Sequence, residues 1–167
     1  VQGSATKFCN YRLDTLEETG FTAIQLEGKA IMSEALKFEE VFDYVIIDSG
    51  GFDSASQRHA IVCADIYFAV FNPQRLATDT LAHVETMVKE MMVANDAIKA
   101  YSMINLGWSS GDENDESADI LKQSELFEFC PAIINRRKAI CDAHTHGLSV
   151  FERKRKDPKA EKEFTSL

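Results

Sequence analysis

An aspartate closes one of the most apolar segments of the chain. In FDYVIID (residues 42–48), Asp48 follows four apolar residues, and Ser49, Gly50 and Gly51 come next. A carboxylate in this position can hold Mg²⁺ directly or through water, and the glycines beyond it let a backbone approach a phosphate. The same acid can instead cap the turn that follows, because this pattern is common in α/β proteins. The residues alone leave both interpretations open.

Other residues that could do chemistry give weaker signals. His144 and His146 are two positions apart, and helical residues at that spacing do not face each other, so they make a poor pair of metal ligands. The serines of GFDSAS (residues 51–56) lack the G-x-S-x-G elbow of a serine nucleophile. The cysteines contain no CxxC pair and are expected to be reduced thiols: Cys9, Cys63, Cys130 and Cys141.

Alternating strand-like and helix-like segments must position these groups. The patterning predicts strands over residues 21–26, 42–48, 65–71, 100–106 and 129–134. It predicts helices over residues 30–40, 53–63, 74–93, 118–127, 135–146 and 158–164, and a polar surface loop over residues 107–117. This alternation is typical of βαβ units, so we expect an α/β fold with a mostly parallel sheet flanked by helices.

Length and composition place the chain among globular proteins. Its 167 residues suffice for one domain, 1–167, with 45% hydrophobic and 27% charged residues. No apolar run approaches the ~20 residues of a transmembrane segment, and a cytoplasmic location is the default expectation. The formal net charge is −9, which argues against a protein that coats nucleic acid generally. The basic residues concentrate near the C-terminal end, where phosphate contact remains possible.

Several short motifs, taken in order, resemble the ParA/MinD family of deviant-Walker P-loop ATPases. FDYVIIDSGGFDS (residues 42–54) resembles the Walker B strand, and RHAIVCADIYFAVFNPQRLATDTL (residues 58–81) resembles the segments after it. SMINL (residues 102–106) resembles the strand that carries the base-contacting asparagine. QGSAT (residues 2–6) resembles the end of the switch element, and INRRKAICDAHTHGLSVFE (residues 134–152) resembles the late helix.

The resemblance implies an ATP-dependent switch of the plasmid or chromosome partition type. Asp48 would hold Mg²⁺ and, together with Gln2, would position water. Asp48 and Gln2 are therefore the implied catalytic residues. Gly3, Gly51 and Asn105 would contact ATP, with Asn105 on the adenine. ATP would bridge a homodimer that binds DNA non-specifically and a ParB-like adaptor. The surface implied for DNA or a partner comprises Arg136, Arg137, Arg153, Lys154 and Arg155.

The chain also departs from the family. It contains no KGGxxKT loop, whose amides and lysines would cradle the phosphates. By the resemblance, that loop, the first two strands and the catalytic aspartate would all precede Val1. We therefore expect weak or absent ATP hydrolysis by these residues alone, whether they are part of a longer ATPase or a degenerate relative. Because the family's first strand is central, the isolated chain is expected to dimerise, aggregate or be marginally stable.

Other interpretations remain. The chain could be a non-catalytic binding or scaffold protein on a degenerate P-loop fold, such as a plasmid-stability or conjugation accessory factor. Receiver and Rossmann domains also end strands in acids, although receiver domains are usually shorter and the chain has no GxGxxG. Trp108 could stack on a base beside Asn105, but we expect it to anchor its loop.

Overall fold

The computed structural model describes residues 3–50, 53–74 and 80–167. The helices are α1 (Ser4–Leu16), α2 (Ala30–Glu39), α3 (Ala55–Val62), α4 (Leu81–Met92), α5 (Glu113–Leu121), α6 (Lys138–His144) and α7 (Pro158–Thr165). The strands are β1 (Ile66–Phe71), β2 (Lys99–Gly107) and β3 (Glu128–Asn135). The fold is thus α/β, with parallel strands in the order β1-β2-β3 and helices in the connections, as predicted from the alternation.

The main core lies between one face of the sheet and helices α3, α4 and α5. Ile104 of β2 and Val88 of α4 are completely buried in it. Alternate residues of β1 and β2 supply the sheet side, as the two-residue period of a strand requires. A smaller cluster, formed by Ala139, Val150 and Ala160, joins α6 to α7. The helices thereby fix the strands whose carboxyl ends carry the candidate site.

Local sequence explains where several helices begin. Ser54 caps α3 by accepting a hydrogen bond from the Gln57 amide at 3.2 Å, because a serine oxygen at this position satisfies a free N–H group of the first helical turn. Asp157 caps α7 in the same way, with Pro158 at the first helical position. The predicted loop over residues 107–117 is shorter than expected because α5 already begins at Glu113. Its first turn carries three acids, which favour a helix N-terminus.

Two of the five predicted strands do not form, and this corrects the sequence prediction. Residues 21–26 and 42–48 have no regular secondary structure, and no sheet pairing joins either of them to another described segment. Tyr44 and Ile46 are 88% and 90% exposed. These segments have the apolar composition that favours strands. A strand also needs an adjacent strand whose backbone can form hydrogen bonds with its N–H and C=O groups. Helix α1 was not predicted, and the predicted helix over residues 74–93 is described only from Leu81 onward.

Candidate functional site

At the carboxyl end of the central strand β2, the backbone departs from the regular strand conformation. Asn105 is half-buried there, and its Oδ1 accepts a hydrogen bond from the Leu106 amide at 2.8 Å. Leu106 has φ +58°, which is a strained conformation for a branched residue. In the part of the chain that the structure describes, the Asn105 Nδ2 has no acceptor. The geometry therefore leaves an amide donor at the edge of a parallel sheet where ligands bind in such folds.

Trp108, directly after β2, is held in place by its backbone and by its ring. Asn114 of α5 accepts from the Trp108 amide at 2.9 Å and donates to its carbonyl at 2.8 Å. The Arg136 guanidinium lies 4.8 Å from the centre of the indole ring, and its Nε donates to the Leu106 carbonyl at 3.2 Å. With this cation–π contact in place, Trp108 is 39% exposed. The ring thus anchors the loop that follows β2, and Trp108 stays partly exposed at the same end of the strand.

Glu163 of α7 organises the end of β3. It accepts hydrogen bonds from the Asn135 amide at 3.2 Å, from Asn135 Nδ2 at 2.6 Å and from the Arg137 guanidinium. Burial alone would raise the pKa of Glu163, but the hydrogen bonds from Arg137 and Asn135 lower it below its ordinary value. Asn135 in turn accepts from Asn114 at 3.4 Å. This network connects α7 to the Trp108 loop.

The structure describes two of the residues predicted for the phosphate side, Asp48 and Gly3, and they lie on separate segments of the chain. Asp48 is exposed in the unpaired segment over residues 42–48, and no described residue forms a hydrogen bond or ion pair with it. Gly3 begins α1 with φ +60° and lies near Gln25. Gln2 and Gly51 lie outside the described residues. Across residues 3–50, 53–74 and 80–167, no cluster of three metal-binding side chains occurs.

The predicted basic surface divides into two groups. Arg136 stacks on Trp108, Arg137 pairs with Glu163, and Arg153 lies 3.4 Å from an oxygen of Asp142. Lys154 and Arg155 are exposed, and within the described chain neither has an ion-pair partner. Three of the five residues therefore make contacts within the fold, and two are exposed without an ion-pair partner among the described residues.

The comparisons leave the family undecided. No protein-family model matches the chain, and no characterised protein is significantly similar to it. The relationship to ParA/MinD proteins stays a prediction. None of the described helices has the length and hydropathy that a membrane crossing requires.

Arg12 of α1 is the most connected residue that sequence reasoning missed. Its guanidinium donates to the carbonyls of Thr19 and Gly147, at 2.6 and 3.0 Å, and to both carboxylate oxygens of Glu152 at 2.7–2.9 Å. Arg12 and the Ser149 amide together lower the pKa of Glu152 to about 2. Because Arg12 and Glu152 are 140 positions apart, no local pattern could have revealed the pair. Arg12 fixes α1 against the segment between α6 and α7.

Gly107 provides a test of the packing beneath Trp108. A Cβ at this position would lie 2.7 Å from Ile133 Cγ2 and 2.8 Å from Asn135 Oδ1. We expect Gly107→Ala to lower the free energy of unfolding by about 1–2 kcal/mol, because these side chains must shift, and to red-shift the emission of Trp108. Thermal melts and fluorescence spectra measure both effects. Gly50→Ala, where nothing lies within 4 Å, is the control, and equal effects of the two substitutions would contradict the packing argument.

Proposed function

We propose that this chain belongs to an ATP-dependent partitioning or positioning switch of the ParA/MinD type and carries the adenine side of its nucleotide site. The supporting observation is Asn105, placed at the carboxyl end of the central parallel strand with a free amide donor. Nucleotides bind at this edge of doubly wound sheets. An asparagine amide matches the N7 acceptor and N6 donor of adenine. Trp108, which follows β2 directly and is partly exposed, offers an aromatic surface at the same end of the strand.

The residues present fit adenine but not the phosphates. At the adenine end, the Asn105 Nδ2, which has no acceptor among the described residues, would donate to N7, and Oδ1 would accept from N6, the donor that guanine lacks. For the phosphates, the sequence contains no KGGxxKT loop, and Asp48 has neither a neighbouring strand nor a described partner. We therefore derive no hydrolytic step from these residues. The proposal also includes Mg²⁺ binding at Asp48, an ATP-bridged homodimer, and contacts with DNA and an adaptor. Each of these requires further protein groups besides the residues at the adenine end.

The fluorescence of Trp108 tests the proposal, because it is the only tryptophan of the chain. We expect adenosine, AMP and ATP with Mg²⁺ to change its emission at similar concentrations, roughly millimolar, since only the base would be recognised. Guanosine should have a much weaker effect. Asn105→Ala should weaken adenosine binding about fivefold to tenfold, which corresponds to one hydrogen bond. Asn10→Ala, an exposed position on α1, is the matched control.

Two outcomes would count against this assignment. If adenosine and guanosine act equally, the response is not base recognition. If Asn105→Ala and Asn10→Ala behave alike, Asn105 is not the contact. ATP binding far tighter than adenosine would instead point to a phosphate site that the present geometry does not explain.

The second candidate is a non-catalytic binding or scaffold protein. It is favoured by the apolar side chains that β1 exposes on one face, Ile66, Phe68 and Val70, which are 44–54% exposed. Exposed apolar surface of this kind is typical of interaction sites. No adenine response at Trp108, together with stable complexes formed without nucleotide, would favour this candidate.

A further inference from the structure

A cleft runs between strand β3 and helix α7, on the opposite edge of the sheet from β1. It has a volume of about 330 Å³. Three consecutive residues of β3 line it: Pro131, Ala132 and Ile133. Because successive side chains of a strand point to opposite faces, such a lining means that the cleft follows the edge of the strand. Among the described strands, β3 pairs only with β2, so this edge has no strand partner.

The backbone of β3 is irregular at this point. Residues 130–132 lie opposite the single residue Met103, because Ser102 pairs with Phe129 and Ile104 pairs with Ile133. Pro131 lies within this bulge, where a strand tolerates a residue without an N–H group. A continuous added strand is therefore disfavoured at this edge. Only a short extended segment can use the backbone groups on either side of Pro131.

The wall of the cleft is basic. Lys159 and Lys162 of α7 line it together with Arg137 and Glu163. Arg137 is paired with Glu163, whereas both lysines are exposed and have no ion-pair partner within the described residues. Residues 136–162 contain nine lysines and arginines against four acids, a net charge of +5, and the rest of the chain carries −14. The cleft thus lies in the one basic region of an acidic protein, which favours an acidic ligand.

We propose that this cleft binds a short, extended acidic peptide of a partner protein. Its backbone would meet the free edge of β3, as in recognition by strand addition, and its carboxylates would meet Lys159 and Lys162. The apolar floor of Pro131, Ala132 and Ile133 suits small side chains between the acids. A cleft of about 330 Å³ is too small to enclose a nucleic-acid duplex, whose charge lies on a broad cylinder. This assignment does not depend on the nucleotide site.

Fluorescence anisotropy with the full chain tests the proposal. The probe is a labelled eight-residue peptide of alternating glutamate and valine, and the comparison probes are its glutamine analogue and a thymidine oligonucleotide of equal charge. We expect the glutamate peptide to bind and the glutamine analogue to bind at least tenfold more weakly. The double variant Lys159→Glu, Lys162→Glu should weaken binding of the glutamate peptide about tenfold or more.

Two further variants separate the cleft from general electrostatics and from unfolding. Lys7→Glu with Lys89→Glu gives the same change in net charge at exposed positions outside the cleft, and it should leave the affinity within about twofold. Glu163→Gln removes the one acid among the described residues that line the cleft. It should tighten binding roughly twofold to fivefold, which destabilisation cannot produce. Equal weakening by both double variants, absence of peptide binding, or preference for the oligonucleotide would each overturn the proposal.

Discussion

Gly147→Ala is expected to lower the free energy of unfolding by about 3–4 kcal/mol, the largest effect of the substitutions considered. Gly147 has φ +64°, a conformation that costs an L-residue roughly 1–2 kcal/mol. An added Cβ would also overlap the backbone nitrogen and Cα of Arg12 and lie 2.6 Å from the carbonyl carbon of Tyr11. Backbone of α1 cannot move aside as a side chain can, so this overlap contributes about another 1–3 kcal/mol.

Thermal or urea denaturation measures this effect, and Gly28→Ala is its matched control. Gly28 has φ +58°, but a Cβ there meets nothing within 4 Å. It therefore carries the same conformational penalty without the overlap and should cost about 1–2 kcal/mol. The difference between the two variants isolates the contact between α1 and the segment after α6. Equal destabilisation would mean that α1 does not pack on Gly147 in solution.

The same contact predicts which part of the molecule loosens first. Arg12 donates to the Gly147 carbonyl and to Glu152, so displacement of α1 breaks these hydrogen bonds together. In Gly147→Ala, hydrogen exchange should accelerate most in α1, whereas the strands β1, β2 and β3 keep their protection. This pattern is the one expected when a peripheral unit opens below the global free energy of unfolding.

The fold was predictable from the sequence where local pattern and tertiary pairing agree. Strands β1, β2 and β3 are apolar runs followed by turn or helix signals, and all three formed close to their predicted limits. Residues 42–48 have the same composition, but an isolated segment cannot satisfy its backbone groups by composition alone. The prediction of five strands was therefore wrong for two of them. These two segments have the composition of strands but, in the described part of the chain, no neighbouring strand to pair with.

The candidate site was predictable only in part, for a similar reason. Asn105 lies at the end of a strand, and strand ends can be read from the sequence. The partners that shape its surroundings come from distant positions: Arg136 reaches Leu106 across 30 residues, and Glu163 reaches Asn135 across 28. Contacts between side chains that are so far apart in the sequence produce no periodic pattern in the sequence. The role of Arg137 as an internal ion-pair partner, rather than an open surface cation, needed the structure.

Glu163→Ala should lower the free energy of unfolding by about 2–3 kcal/mol. The side chains of Glu163 and Arg137 are only 14% and 18% exposed, so removing the acid leaves a largely buried cation without its partner. It also removes the acceptor of the Asn135 amide and of its side chain. For a chain of this size, the melting temperature should fall by roughly 5–10 °C.

Acid should weaken the same contacts in the unmodified protein. The folded pKa of Glu163 lies below its ordinary value of 4.5, so its contribution to stability is complete above about pH 4.5 and is lost as the pH falls through the folded value. The melting temperature of Glu163→Ala should therefore depend less steeply on pH below 4.5 than that of the unmodified chain.

Glu161→Ala, in the same helix, is the control for this comparison. Glu161 lies 3.6 Å from the exposed Lys156 and should contribute less than about 1 kcal/mol. If both substitutions lower the melting temperature equally, the loss reflects α7 as a helix rather than the contacts of Glu163. If Glu163→Ala alone is destabilising and also shifts the emission of Trp108, the network through Asn135 and Asn114 couples α7 to the candidate nucleotide edge.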